Sequence, residues 1–95
     1  DYMRQFTSEL VHFANVLKPQ LLIISAGFDS HRLDPVGSLG LEIEDFGTLT
    51  RALIGIANDH TEGRLVSVLE GGYNVDILPL CVADHLKELL EADRK

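Results

Sequence analysis

The sequence is 95 residues long and 45% hydrophobic, with 15 acidic residues against 8 basic ones and a formal net charge of -7. Those totals fit one small globular unit with a thin core, and they exclude a disordered chain and, with no long apolar run, a membrane span. The negative balance argues against nucleic-acid binding, which needs Lys and Arg to neutralise phosphates, and leaves a cationic partner easier to accommodate. Cys81 is the only cysteine, so no intrachain disulfide forms, and its place in the apolar stretch from Leu78 to Ala83 predicts a buried thiol in a reducing, cytoplasmic compartment. With Asp1 first and Met3 the only methionine, the chain is expected to be a piece of a longer protein.

Met3, Phe6, Leu10, Ala14 and Leu17 recur at three- and four-residue steps, which predicts an amphipathic helix ended by Pro19. Leu21, Leu22, Ile23 and Ile24 are apolar at every position, as in a strand covered on both faces of a parallel sheet. After a loop, Phe46, Leu49, Leu53, Ile56 and Ala57 form the buried stripe of a second helix, with Gly63 closing the turn behind it. Arg64 to Leu69 reads as a second strand paired with the first. The last helix is expected to start near Asp76 as N-cap, placing Pro79 in the first turn where its missing N–H costs nothing. Leu78, Val82, Leu86 and Leu89 or Leu90 are its expected inner face. This order of elements predicts right-handed crossovers and a three-layer α/β/α fold with a parallel sheet. Two strands leave open edges, so further strands are expected upstream.

Both strands end in a turn of small residues followed by an aromatic and a polar residue: Ser25-Ala26-Gly27-Phe28-Asp29 and Glu70-Gly71-Gly72-Tyr73-Asn74. Sites in parallel α/β sheets lie beyond the carboxyl ends of the strands, which makes Asp29 and Tyr73 the leading candidates. Gly27, Gly71 and Gly72 permit the close approach a tight pocket needs. Taken alone, Asp29 reads more readily as a helix or turn cap, and Tyr73 as a rim aromatic with a buried ring and a wet hydroxyl. A nucleotide fold is disfavoured, because neither loop carries a basic residue or a phosphate-cradling glycine pattern.

The segments Leu22-Ile23-Ile24-Ser25-Ala26-Gly27-Phe28-Asp29-Ser30-His31, Asp34-Pro35-Val36-Gly37 and Val68-Leu69-Glu70-Gly71-Gly72-Tyr73-Asn74, in that order, resemble the signatures of the histone deacetylase, acetylpolyamine amidohydrolase and acetoin utilization superfamily. The style is most similar to its bacterial, acetoin-utilization and class II branches. The helix from Phe46 to Leu53 and the Leu-rich final helix also resemble that family. Residues 1–95 are therefore expected to form the C-terminal portion of a single larger deacetylase domain of arginase/deacetylase-like fold.

The resemblance implies a zinc-dependent amidohydrolase acting on acetylated amines of acetyl-lysine or acetylpolyamine type. It makes Asp29 a zinc ligand, a role that suits a carboxylate. It makes Tyr73 the hydroxyl donor to the acetyl carbonyl, with Gly71, Gly72 and Phe28 bordering the substrate pocket. One vertebrate branch of the family has histidine at the tyrosine position and lacks ordinary deacetylase activity, so Tyr73 points to a competent parent enzyme. The remaining zinc ligands, an aspartate and a histidine, and a catalytic histidine pair belong to an upstream part of the domain. That missing N-terminal part is the implied partner of this chain, which alone is expected to bind zinc poorly and hydrolyse nothing. The alternative is a noncatalytic α/β module with a binding or assembly role.

Asp29 and His31 together mimic a two-ligand zinc segment, but the resemblance puts only Asp29 on the metal; His31 is expected at the pocket mouth or bonded within its own turn. His12, His60 and His85 are expected on helices or at their ends, solvent-facing or satisfied structurally. Asp34-Pro35 reads as a turn whose aspartate accepts backbone N–H bonds. Glu70 has no partner that the sequence selects. Glu42 and Asp45 stand where the family often has threonine and glycine, so a different helix cap is expected.

Overall fold

The amphipathic N-terminal stretch forms α1 (Tyr2–Leu17) in a computed structural model that describes residues 2–37 and 39–93. The helix closes at Lys18, whose φ is +50° and whose N–H donates to the Ala14 carbonyl at 2.8 Å; Pro19 then blocks continuation. The apolar runs form β1 (Leu22–Ala26) and β2 (Leu65–Leu69), which pair in parallel from Leu22 opposite Leu65 to Ala26 opposite Leu69. The ladder continues into the loops at its carboxyl end. The Glu70 N–H donates to the Ala26 carbonyl at 2.9 Å and the Phe28 N–H to the Gly71 carbonyl at 2.8 Å, so the two glycine turns leave the sheet as a bonded pair.

Between the strands runs α2 (Ile43–His60). Its start is fixed by the Glu42 N–H donating to Asp45 Oδ2 at 2.8 Å, with Glu44 and Asp45 in the first turn facing the positive end of the helix dipole. Arg32 reaches back to Glu42 at 2.7 Å, so the acidic cap also ties down the preceding loop. Gly63, at φ +80°, closes the far end as expected, with its N–H on the Ala57 carbonyl.

The last helix, α3 (Leu78–Asp93), starts under a different cap from the one expected. Asn74, not Asp76, supplies it: Asn74 Oδ1 accepts the N–H groups of Asp76 at 3.1 Å and Ile77 at 3.2 Å, and the Asn74 carbonyl accepts those of Ile77 and Leu78. Pro79 still falls in the first turn. The inner face of α3 also differs in part. Leu78, Val82 and Leu89 are partly buried, but Leu86 and Leu90 are exposed, and the most deeply buried side chains on the helix are Cys81 and His85.

Ile24 and Ala26 of β1, Phe28, Leu41, Phe46 of α2 and Cys81 of α3 make the core, with Met3 of α1 and Leu65 of β2 packed against it. All three helices therefore serve the same face of the sheet. The opposite face is open: Ile23 is 63% exposed, and Val66 and Val68 are exposed beside it. His85 pins the covered side. Thr50 donates its one hydroxyl proton to the Phe46 carbonyl at 2.6 Å, so at 2.7 Å from His85 Nδ1 it acts as acceptor. His85 thus carries its proton on Nδ1, and Nε2 accepts from the Ser67 hydroxyl at 2.8 Å, joining α3 to both α2 and β2. Burial lowers the His85 pKa below its ordinary value, in keeping with that neutral ring. Among the described residues no helix is long and apolar enough to cross a membrane.

Candidate functional site

Beyond the carboxyl ends of the strands, the two glycine turns bring Asp29 against Gly71. A Cβ built on Gly71 would sit 3.0 Å from both Cγ and Oδ2 of Asp29, and one on Gly27 would sit 3.3 Å from its Oδ1. The half-buried carboxylate therefore lies between two residues without side chains, one from each loop. Among the described residues no side-chain or backbone donor is bonded to this carboxylate.

Asp34 takes the capping work. Its Oδ1 accepts the N–H groups of Val36 at 2.8 Å and Gly37 at 2.9 Å, the turn expected of an Asp-Pro pair. Its Oδ2 accepts the N–H of Tyr73 at 2.7 Å, across to the other loop. Burial raises the pKa of this carboxyl, but the N–H donors of Gly37, Tyr73, Val36 and Asn74 outweigh burial and hold it below the usual carboxylate value. A second tie runs parallel, from the Asn74 amide nitrogen to the Leu33 carbonyl at 2.9 Å. Gly37 runs close along the Asp29 backbone, where an added Cβ would collide with the Asp29 carbonyl oxygen.

The Tyr73 side chain is 52% exposed. Before it, Gly72 has φ +144° and faces Leu78, whose Cδ1 would be 2.6 Å from an added Cβ. The glycine is thus required by backbone angle and by the α3 start. Phe28 turns inward, edge-to-face with Phe46 at 5.1 Å and His85 at 5.8 Å between ring centroids. Its Cβ lies beneath Gly72, 3.4 Å from where a side chain there would begin.

His31 is buried within its own turn, its Nδ1 accepting the Leu33 N–H at 3.0 Å and its ring stacked on Phe46 at 6.4 Å. That matches the in-turn bond expected of it. Glu70 is exposed, its N–H holding the Ala26 carbonyl. The sequence signals neither the link from Asp34 to Tyr73 nor the approach of Gly37 to the Asp29 backbone. The sequence signals the Asp-Pro turn, but nothing local in it points to a partner 39 positions away.

A zinc ion held by protein needs three or four donors converging at about 2.0–2.3 Å. Among the described residues no three His, Cys, Asp or Glu side chains are grouped to hold a metal. Asp29 fits as one donor of such a set, a carboxylate beyond the strand ends with Gly27 and Gly71 beside it.

The family model for the histone deacetylase domain matches residues 1–89. Type-2 histone deacetylase 2 of Dictyostelium discoideum is 39% identical over 93 residues, which is 95% of this chain and 6% of that protein. A probable deacetylase of Archaeoglobus fulgidus is 41% identical over 75 residues, 79% of this chain and 21% of that one. The crystal structure of the HDA15 HD domain superposes with a TM-score of 0.82 at 31% identity, covering 95% of this chain and 24% of that chain. The chain thus spans a quarter or less of each of these proteins, and its parallel α/β arrangement is that of a deacetylase domain. On the match of nearly its whole length and on the shared fold, this chain belongs to the histone deacetylase family.

Proposed function

We propose that these residues are the C-terminal part of a larger zinc-dependent deacetylase domain that hydrolyses the acetyl-amide bond of acetyl-lysine or acetylpolyamine-type substrates. The observation that carries this reading is the meeting of two loops at the strand ends, with the Asp29 carboxylate between Gly27 and Gly71 and the Tyr73 backbone bonded to Asp34. The open sheet face at Ile23, Val66 and Val68 supports the larger domain, since exposed apolar strands call for further structure over them.

In this reading Asp29 is one zinc ligand and the remaining ligands come from the rest of the domain. The chemistry zinc supplies there is Lewis acidity toward an acetyl carbonyl. The Tyr73 hydroxyl donates a hydrogen bond to the oxygen of that carbonyl, strongest when water has added and negative charge sits on the oxygen. Water and acetyl amide go to acetate and free amine. Gly71 and Gly72 keep the wall beside the acetyl group thin, and Phe28 braces that wall from the core side.

The test is Tyr73→Phe in the full-length protein. Loss of one preorganised donor is worth a factor of about 100–1,000 in kcat, with KM little changed and zinc retained. Turnover at the wild-type rate rules out the role given to Tyr73. An inactive wild-type protein that binds no zinc points instead to a noncatalytic module.

A further inference from the structure

We propose that Asp34 is a positioning residue for this site, holding the backbone of Tyr73 in register with the loop that carries Asp29. The inference rests on the reading of Asp29 and Tyr73 just given. A turn of this kind needs only one side-chain acceptor, and Oδ1 fills that need by taking the N–H groups of Val36 and Gly37. The second oxygen reaches out of the turn to the Tyr73 N–H at 2.7 Å. Both oxygens act as acceptors, so the site requires a carboxylate; an asparagine would satisfy the turn and present N–H to N–H at Tyr73.

Tyr73 is exposed at the loop tip, and this bond ties its backbone to the loop that carries Asp29. The same carboxylate holds the N–H of Gly37, which runs close along the Asp29 backbone. One buried side chain thereby joins the Tyr73 backbone to the segment beside Asp29. Misplacement of a catalytic group by about 1 Å costs on the order of 100-fold in rate, so a clamp on the backbone of Tyr73 is felt in kcat.

The experiment is a double-mutant cycle in the full-length enzyme: wild type, Asp34→Asn, Tyr73→Phe and both together, each assayed for kcat, KM and Tm. Asp34→Asn is expected to lower kcat by about 10- to 100-fold with KM within about twofold. In the Tyr73→Phe background the same change is expected to cost less than about twofold, because the hydroxyl it positions is already gone. Equal losses in both backgrounds, or wild-type kcat in Asp34→Asn, overturn the proposal while leaving the role of Tyr73 intact. Wild-type turnover in Tyr73→Phe overturns both. If Asp34→Asn does not fold, the wild-type protein decides by amide exchange: protection of the Tyr73 N–H at least about 100-fold beyond a free peptide is expected, and exchange at the free-peptide rate overturns the clamp.

Discussion

The Asp29 carboxylate lies beside Gly71, where an added Cβ would come within 3.0 Å of its Cγ and Oδ2. Gly71→Ala therefore displaces the carboxylate by a few tenths of an ångström. In the full-length protein this change is expected to weaken zinc affinity by about 10- to 100-fold, the range typical of losing support around a ligand. Competition with a chelator measures it, and unchanged affinity contradicts the placement of Asp29 on the metal.

Gly55 offers the opposite case. It lies on the exposed side of α2 with nothing within 4 Å of an added Cβ, so Gly55→Ala is expected to raise stability by about 0.5–1 kcal/mol, read from chemical denaturation.

Gly72 and Phe28 form one packed step beneath the loop. Gly72→Ala, at φ +144° and against Leu78, is expected to destabilise by about 1–3 kcal/mol. Phe28→Ala opens the core between Phe46 and His85 and is expected to cost about 3–5 kcal/mol. Denaturant midpoints of the two variants check the order.

Stability should depend on pH through His85. Its folded pKa is lowered by burial, so the unfolded chain takes up a proton first as pH drops. The contribution is complete above the ordinary value of 6.5, falls as pH drops below it, and levels off under the folded value. Between pH 7.5 and pH 5.5 the Tm of the wild type is expected to fall more than that of His85→Gln; parallel curves contradict the buried neutral ring.

Cys81 is fully buried, and burial, with the charge of Asp84 behind it, raises its pKa above 9.0. The unfolded thiol ionises first as pH climbs, so this group's contribution is lost above 9.0. In native protein at neutral pH, iodoacetamide is expected to leave Cys81 unlabelled under conditions that label it fully in denaturant. Equal labelling in the two states contradicts it.

Much of the fold could be read from runs of one residue class. Leu22, Ile23 and Ile24 announce a strand because every position is apolar, and Phe46 with Ala57 marks α2 by its period. The sequence points to Asp76 as the cap of α3, but Asn74 two residues earlier is as good a cap, and the bonds to Ile77 and Leu78 select it. Its inner face was partly misread because leucine counts as buried by default, whereas Thr50 and Ser67 give the polar His85 two partners inside and leave Leu86 outside. The glycine turns in the sequence put Asp29 and Tyr73 beyond the strand ends, and both lie there. The Asp34 clamp carries no such signal, because hydrogen bonds between loops leave no spacing in the sequence.

The uncovered side of the sheet, where Ile23, Val66 and Val68 line up, bears on solubility as well as on folding. A hydrocarbon stripe bordered by unpaired strand edges recruits whatever extended chain is near it. A stripe left bare in this way makes clumping the default fate of these residues whenever nothing lies over it.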